Sequence, residues 1–324
     1  MDDFYRQLEI IEATPLNGTL AIITRVEGSA YRKEGASMVI LEDGITVGVL
    51  SGGCLEADLI ARVENGLPPI EPYVGHAFTY DLSAEDDLSW GKGAGCNGVV
   101  HVVLEPLTPS LRRALLRLKS CLDRGLSTVG TICVDSSGQV IGHTFLADDG
   151  TTFGSGRPDP LADVFTFRYE PRSRLVIFGA GPDVKPLTEL AARSGFTVAL
   201  ADGQAARCNK DRFPHVRDFY VGKPEDLLET IAISELDALV IMTHDFQVDK
   251  ILLKGLQKKR CMYLGVLGPR QRTTRLLDGA PIPDDVHSPV GLAIGAEGPE
   301  EIAVSIMADI IKTKHEANKS SHLS

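Results

Sequence analysis

The sequence lacks the features that mark several classes of protein. It has no CxxC motif, and six scattered cysteines in 324 residues are too few for a disulfide framework. No apolar run approaches the ~20 residues of a membrane span, and the acidic start Met1-Asp2-Asp3-Phe4 is unlike a signal peptide. The net charge is −11, and no basic run offsets it. We therefore expect a cytoplasmic protein with free thiols that binds neither nucleic acid nor a membrane.

What is present is typical of a folded protein with two domains. The length is roughly twice the ~150 residues of a common domain. Apolar residues make up 43% of the chain and charged residues 24%, as in ordinary globular proteins. The composition therefore provides for two hydrophobic cores and argues against disorder.

The first half mixes short strands with amphipathic helices. Asp43-Gly44 lies between two apolar segments and indicates a β-hairpin. Leu55, Leu59 and Val63 follow at helical spacing, and residues 110–124 have a leucine-rich face. We assign residues 1–150 to an N-terminal mixed α/β domain.

The second half alternates all-apolar strands with amphipathic helices, which is typical of a parallel sheet covered on both faces. Before it, residues 148–160 are rich in Gly and Pro and have no periodicity. We therefore assign residues 151–170 to a linker and connecting strand. Residues 171–324 are predicted to form a Rossmann-like, doubly wound parallel-sheet domain.

A glycine turn follows the first strand of this second domain. Gly179-Ala180-Gly181 leads into a helical segment, and Asp202 ends the next strand. Such a turn lets a pyrophosphate approach a helix N-terminus, and the acid can accept hydrogen bonds from ribose hydroxyls. Val184 replaces the third glycine of the usual pattern. The alternative is a turn that keeps this shape without binding a ligand.

Ser51-Gly52-Gly53-Cys54 repeats this layout in the first domain, because a strand ends there and a helix begins. A thiol in the first helical turn lies at the positive end of the helix dipole and gains thiolate character, although Glu56 and Asp58 oppose that effect. The alternative for Cys54 is a small residue chosen for packing.

Three further positions are candidates for binding. Cys96 lies in a loop with glycines at 91, 93, 95 and 98, and Arg32 could contact a phosphate. The alternatives are an incidental thiol and a solvated turn. Thr243-His244-Asp245 ends an apolar strand, and ligands of open α/β sheets bind at such carboxyl ends. A purely structural role for His244 stays open.

No complete catalytic set can be assembled from the sequence. It contains no P-loop, no G-x-S-x-G elbow and no H-E-x-x-H motif.

Taken together, these motifs resemble the XdhC/CoxI family, the accessory proteins of xanthine dehydrogenase and related molybdenum hydroxylases. Tyr31 stands where the family often has Pro, and Asn97 where Gly is usual. The matching segments span nearly the whole chain in the family's order: Gly28-Ser29-Ala30-Tyr31-Arg32, Gly35-Ala36-Ser37-Met38, Gly52-Gly53-Cys54-Leu55-Glu56, Gly95-Cys96-Asn97-Gly98, Leu175–Gly181, Asp202 with Arg212-Phe213-Pro214, Thr243-His244-Asp245 with Asp249, Gly265–Gly268 with Arg270, and Gly291–Ala296 through Pro299–Ala303.

The resemblance implies a dimer that binds molybdenum cofactor, bare or nucleotide-extended, and inserts it into an apo molybdenum hydroxylase. It also implies that a cysteine desulfurase supplies the terminal sulfur. No catalytic residue and no metal ligand of the protein itself is expected, although Cys54 and Cys96 could contact the cofactor's molybdenum or sulfur. The expected cofactor-binding residues are Arg32, Ser51, Gly52, Gly53, Cys54, Glu56, Cys96, Gly179, Gly181, Asp202, His244 and Asp245.

A second function stays open at this point. The glycine turn and Asp202 also fit an NAD(P)-dependent oxidoreductase, with His244 as its acid or base. A regulatory nucleotide sensor is a third interpretation of the same turn.

Overall fold

The computed structural model describes residues 2–65, 75–82, 98–156 and 159–321. The chain divides into two units, Met1–Arg172 and Ser173–Ser324. Among the described residues, none of the helices combines the length and the apolarity that crossing a membrane requires.

The first unit contains three helices and nine strands within its described residues. In chain order they are α1 (Asp2–Ala13), β1 (Gly18–Gly28), β2 (Ser37–Leu41), β3 (Thr46–Gly48), α2 (Cys54–Glu64), β4 (His76–Asp81), β5 (Gly98–Pro106), α3 (Pro109–Asp123), β6 (Thr128–Val134), β7 (Val140–Ala147), β8 (Thr152–Gly156) and β9 (Asp163–Tyr169). The strands form two antiparallel sheets, ordered β3-β2-β1-β5-β4 and β8-β7-β6-β9.

The central strands of the first sheet are buried on both faces, and successive side chains of each strand point to opposite faces. Ala21 and Ile23 of β1 pack in one cluster with Leu55 and Leu59 of α2. Leu20 and Ile22 lie in another cluster, with side chains from α1, α3 and the second sheet. Helix α2 is thereby held against one face of the sheet.

The second unit contains six parallel strands and five α-helices within its described residues. They are β10 (Arg174–Phe178), α4 (Lys185–Arg193), β11 (Thr197–Asp202), β12 (Asp218–Val221), α5 (Pro224–Thr230), β13 (Asp237–Ile241), α6 (Phe246–Leu256), β14 (Tyr263–Val266), α7 (Arg270–Leu276), β15 (Val286–His287) and α8 (Gly298–Ser321).

The sheet of the second unit is doubly wound, as predicted. Its strand order is β12-β11-β10-β13-β14-β15, and all neighbours pair in parallel. Helices α4 and α8 cover one face, while α5, α6 and α7 cover the other. The order reverses between β10 and β13, so a crevice lies beyond their carboxyl ends, where open α/β sheets bind ligands.

The structure differs from the predicted linker. Residues 151–170 contain β8 and β9, which pair with β7 and β6 in the second sheet. Gly154 and Gly156 lie at φ 121° and 109°, and a Cβ on Gly154 would contact the carbonyl oxygen of His143. Glycine is needed there for close approach of two backbones, although in the sequence it is typical of a loop.

Candidate functional site

The glycine turn after β10 is shaped by its packing against β13. Gly179 has φ 116°, and a Cβ at this position would contact the carbonyl oxygen of Met242. Its N–H donates to the carbonyl of Ala201 at 2.8 Å. A side chain is therefore excluded at Gly179 by the neighbouring backbone, whether or not a ligand binds nearby.

Asp202 lies at the end of β11, beside the same turn. It is buried, and its Oδ2 accepts from the N–H of Ala180 at 2.9 Å. Its Oδ1 accepts from the N–H of Gln204 at 2.8 Å and lies 3.3 Å from the Arg207 guanidinium. The carboxylate therefore braces the turn from within the protein.

A second carboxylate lies over the turn. A single 3₁₀ turn, Pro182–Val184, precedes α4. A Cβ on Gly181 would contact Oδ1 of Asp183, and Oδ2 of Asp183 lies 2.8 Å from Nε2 of His244. His244 itself has φ 62°, an uncommon conformation for a residue other than glycine. The ends of β10 and β13 are thus joined by an acid–histidine pair.

A small cleft lies beside this pair at the carboxyl edge of the sheet. It has a volume of about 230 Å³ and is lined by Met242, His244, Asp249, Leu267, Gly268 and Arg272. Asp249 is almost fully buried, accepts from Thr243 Oγ1 at 2.5 Å and pairs with Arg272 at 2.7 Å. Asp245 caps α6 by accepting from two backbone N–H groups. A hydrogen-bond or ion-pair partner within the chain is therefore present for Thr243, Asp245, Asp249 and Arg272.

The edge is rich in acids but does not form a metal site. The described residues contain no group of three or more His, Cys, Asp or Glu side chains arranged to hold a metal ion. What the edge offers a ligand is hydrogen-bond acceptors on the half-buried Asp183 and the exposed Asp245, together with the imidazole of His244.

The turn at residues 51–54 is held by Glu56. One carboxylate oxygen accepts from the N–H groups of Leu50 and Ser51 at 2.8 and 2.6 Å. The other accepts from the hydroxyl of Ser51 and from the N–H of Gly53 at 3.1 Å. Burial raises the pKa of Glu56, but the hydrogen bonds from Ser51 and the turn outweigh it, so the pKa lies below its ordinary value. The sequence predicts that Glu56 binds a ligand at this turn. In the structure its carboxylate accepts hydrogen bonds from the turn itself.

The surface of this turn is open. Gly52 and Gly53 are exposed, and a Cβ on either would meet no atom within 4 Å. Gly53 has φ 121°, and Cys54 is the first residue of α2. A ligand could therefore approach the backbone here without displacing a side chain of the described residues.

Asp58 does not act on the Cys54 position as a free charge. Its Oδ2 accepts from the hydroxyl of Tyr80 and from Nε of Arg62, both at 2.6 Å. The Arg62 guanidinium in turn lies 4.6 Å from the ring centre of Phe78. Burial, followed by the hydrogen bond to Asp58, raises the pKa of Tyr80. One of the two acids expected to oppose a thiolate is therefore neutralised by Arg62.

We expect Glu56→Gln to destabilise the first unit by about 1–3 kcal/mol at pH 7, because an NH₂ group would face donors that now have an acceptor. Since the folded-state pKa of Glu56 is lowered, its contribution is present above its ordinary value of 4.5 and is lost as the pH falls. The stability difference between the two proteins should therefore shrink below about pH 4.5. Urea unfolding of both proteins between pH 7 and pH 4 measures it.

Glu64→Gln is the matched control, because Glu64 ends the same helix and is exposed. It should change stability by less than about 0.5 kcal/mol at any of these pH values. A Glu56→Gln protein as stable as the wild type at pH 7 would contradict the bracing role of Glu56.

Two predicted site features lie outside what the structure describes. Cys96 and its glycine loop fall in residues 83–97, which are outside the described residues, as is the side chain of Cys54. Because both thiols follow strands of the same domain in the sequence, we expect Cys54 and Cys96 to face one pocket together with Arg32, and this stays a prediction. Gly98, which follows the loop, pairs with Gly28 at the end of β1.

The other four thiols are wholly or partly removed from solvent. Cys121, Cys133 and Cys208 are buried and Cys261 is half-buried. Burial raises the pKa of Cys208 to about 11, and that of Cys261 also to about 11. These two thiols stay protonated near neutral pH.

Sequence reasoning missed three residues of the carboxyl edge, namely Asp183, Arg207 and Arg272. Asp183 could have been found, because an acid two residues after the last glycine of such a turn stands where a phosphate would bind. The sequence around the two arginines gives no such signal. Arg207 lies at the edge because it pairs with Asp202, and Arg272 because it pairs with Asp249.

Comparison with known proteins extends over both units. Residues 15–68 match the model of the XdhC and CoxI family, and residues 175–310 match that of the XdhC Rossmann domain. A Bacillus subtilis protein, named as a probable subunit of xanthine dehydrogenase, is 40% identical over 332 aligned positions, which cover 97% of this chain and 98% of that protein.

Two further similarities concern function and fold. The Escherichia coli molybdenum cofactor insertion chaperone PaoD is 22% identical over 305 positions, which cover 91% of this chain and 83% of that protein. A Bacillus halodurans protein, described as a xanthine dehydrogenase in its 2.80 Å crystal structure, is 42% identical to this chain. It superposes with a TM-score of 0.88 over 98% of this chain and 96% of its own.

Proposed function

Because the chain belongs to the XdhC and CoxI family, we propose that it is an accessory protein that binds molybdenum cofactor, protects it and inserts it into a xanthine dehydrogenase-type molybdenum hydroxylase. The observation that carries the proposal is the extent of the similarity. A relative named as a molybdenum cofactor insertion chaperone aligns with 91% of this chain, and one named for xanthine dehydrogenase aligns with 97%. Both alignments are long enough to include both units.

The open turn at residues 51–54 suits a cargo that carries a phosphate and soft atoms. Backbone N–H groups at an exposed glycine turn attract anions. The N–H groups of Ser51 and Gly53 donate to Glu56, whereas the N–H of Gly52 has no hydrogen-bond partner within the described residues and stays available. Cys54 begins α2, where the helix dipole favours a thiolate. Thiolates are ligands that soft metal centres prefer. We assign Ser51, Gly52, Gly53 and Cys54 to cargo binding.

The remaining predicted residues complete this proposal. Arg32 and Cys96 are assigned to the cargo on the family's motifs alone. Gly179, Gly181, His244 and Asp245 line or shape the carboxyl edge of the second unit, and Asp202 braces that edge. The proposed partners are the apo hydroxylase, a cysteine desulfurase that supplies the terminal sulfur, and a second copy of the chain.

The proposal can be tested by purification of the protein without oxygen from cells that make molybdenum cofactor. We expect molybdenum, measured by mass spectrometry, and pterin, measured by fluorescence after oxidation, to co-purify in comparable molar amounts. The loaded protein should then activate a purified apo xanthine dehydrogenase. Protein purified from cells that cannot make the cofactor is the control and should not activate it.

Two results would contradict the proposal. The first is a protein that carries neither molybdenum nor pterin and activates the apoenzyme no faster than free cofactor does. The second is steady-state oxidation of NADH or NADPH above ~1 s⁻¹ that disappears in His244→Ala, because rates of that size are typical of enzymes. The second result would favour the oxidoreductase.

A further inference from the structure

The glycine turn of the second unit has the backbone shape of a dinucleotide site, but two of its three N–H donors, those of Gly179 and Ala180, already have partners in the protein. In such a site the N–H groups of the turn face the pyrophosphate of the ligand. Here the N–H of Ala180 donates to Asp202, and the N–H of Gly179 donates to the carbonyl of Ala201. Asp202 in turn is buried and has two further partners, Gln204 and Arg207. Its carboxylate is committed to the protein and not to a ribose.

The space over the turn contains a negative charge of the protein itself. Oδ1 of Asp183 lies where a Cβ on Gly181 would point, and Oδ2 is 2.8 Å from Nε2 of His244. The side chain of Asp183 is 26% exposed, so water screens it only in part. A pyrophosphate seated on the turn would share this space with the carboxylate and be repelled by it.

The cations at this edge do not offset that charge. Arg207 is paired with Asp202 and Arg272 with Asp249. Asp245 adds a further acid at the start of α6. The turn and the adjoining cleft thus carry the aspartates Asp183, Asp202, Asp245 and Asp249, and the two arginines beside them are already paired with two of these acids, which disfavours a ligand with two or more negative charges.

We infer that Asp183 is a specificity-determining residue that excludes pyrophosphate-bearing nucleotides from the Gly179–Gly181 turn. The part of a ligand that lies over Gly181 is then neutral, or donates hydrogen bonds to the Asp183 carboxylate, and any phosphate of the ligand lies elsewhere. The inference rests on the proposed function only for the identity of the cargo. For molybdenum cofactor, the proposed cargo, this means that a ring or a sugar, and not a phosphate, lies over the turn.

The test compares binding of ADP and of adenosine to the full-length protein by calorimetry. Asp183→Asn removes the charge and keeps a side chain of similar size. Asp183→Ser removes the charge and also shortens the side chain. We expect both variants to bind ADP at least ~10-fold more tightly than the wild type, because the repulsion between like charges is removed. The affinity for adenosine should change less than about twofold. The gain for ADP should shrink as the salt concentration rises, since salt screens charges that are partly exposed.

Glu189→Gln is the matched control. Glu189 is an acid on α4 whose side chain is 54% exposed and pairs only loosely with Arg193, at 3.9 Å. Its removal changes the net charge of the protein by the same amount as Asp183→Asn. It should leave the affinity for ADP unchanged, because its charge is screened from the turn.

Two results would overturn the inference. One is a pair of variants that bind ADP no more tightly than the wild type. The other is an equal gain for adenosine, which would show that bulk and not charge excludes the ligand. The assay uses no molybdenum cofactor, so its failure leaves the delivery experiment standing. Failure of cofactor delivery, likewise, leaves the ADP result standing.

Discussion

Replacement of Cys54 or of Cys96 by serine is expected to lower cofactor retention, and activation of the client enzyme, by at least ~10-fold. The physical reason is the loss of a soft ligand, because a serine hydroxyl neither ionises near neutral pH nor binds molybdenum or sulfur as a thiolate does. Serine and cysteine differ little in volume, so the free energy of unfolding should change by only about 1 kcal/mol. Bound molybdenum and the rate of apoenzyme activation are measured beside urea unfolding.

Cys121→Ser, Cys133→Ser and Cys261→Ser are the matched controls. The first two thiols are 1% and 8% exposed and belong to the core of the first unit, and the third has a pKa raised to about 11 by burial. Whatever these changes do to stability, delivery per folded molecule should equal that of the wild type. Folded Cys54→Ser and Cys96→Ser proteins that deliver cofactor at the wild-type rate would remove both thiols from the mechanism.

Gly179→Ala is expected to destabilise the second unit by about 2–5 kcal/mol. An alanine at positive φ costs about 1–2 kcal/mol, and the new methyl group would contact the carbonyl oxygen of Met242 in the centre of the sheet. Overpacking of that kind costs about 1–3 kcal/mol more. For a unit of this size the melting temperature should fall by roughly 4–20 °C, at about 2–4 °C per kcal/mol. Thermal unfolding monitored by calorimetry measures it.

Gly279→Ala separates the two causes. Gly279 also has positive φ, at 88°, but a Cβ there would meet no atom within 4 Å. Gly279→Ala should therefore lower the free energy of unfolding only by the cost of an alanine at positive φ, about 1–2 kcal/mol. Equal losses in the two variants would show that the contact with β13 contributes nothing. A larger loss of stability in Gly279→Ala than in Gly179→Ala would contradict the close packing of Gly179 against Met242.

The parallel sheet could be predicted because its evidence is local. The strands β10, β11, β13 and β14 are short apolar runs bounded by polar turns, and amphipathic helices separate them. The edge strands β12 and β15 could not be found in this way. Edge strands are half-exposed and short, so they carry neither a continuous apolar run nor a clear alternation.

The second antiparallel sheet was only partly predictable. The pair β6 and β7 has a turn at Ser137-Gly138 that indicates a hairpin, but β8 falls in the segment predicted to be a linker. Its glycines at 154 and 156 have low strand propensity, and only pairing with β7 reveals that they permit two backbones to approach closely. This pairing places residues 151–170, which the sequence assigns to a linker and connecting strand, within the first unit, which ends at Arg172.

The sequence by itself determined where the candidate site lies within each unit. Periodicity locates the ends of strands and the starts of helices, so it is sufficient to place both glycine turns, Asp202 and the Thr243-His244-Asp245 segment. Family motifs in the same order along the chain identify the family, which the comparisons confirm.

Only the tertiary structure decided what each carboxylate does. Asp202 meets the N–H of Ala180 across 22 residues, and Asp183 meets His244 across 61. Glu56 turns back onto its own helix start, although its place in the motif predicts that it faces a ligand. A carboxylate binds whichever donors the fold brings within about 3 Å of it. That set depends on how strands pair and helices pack, which local patterns of sequence do not contain.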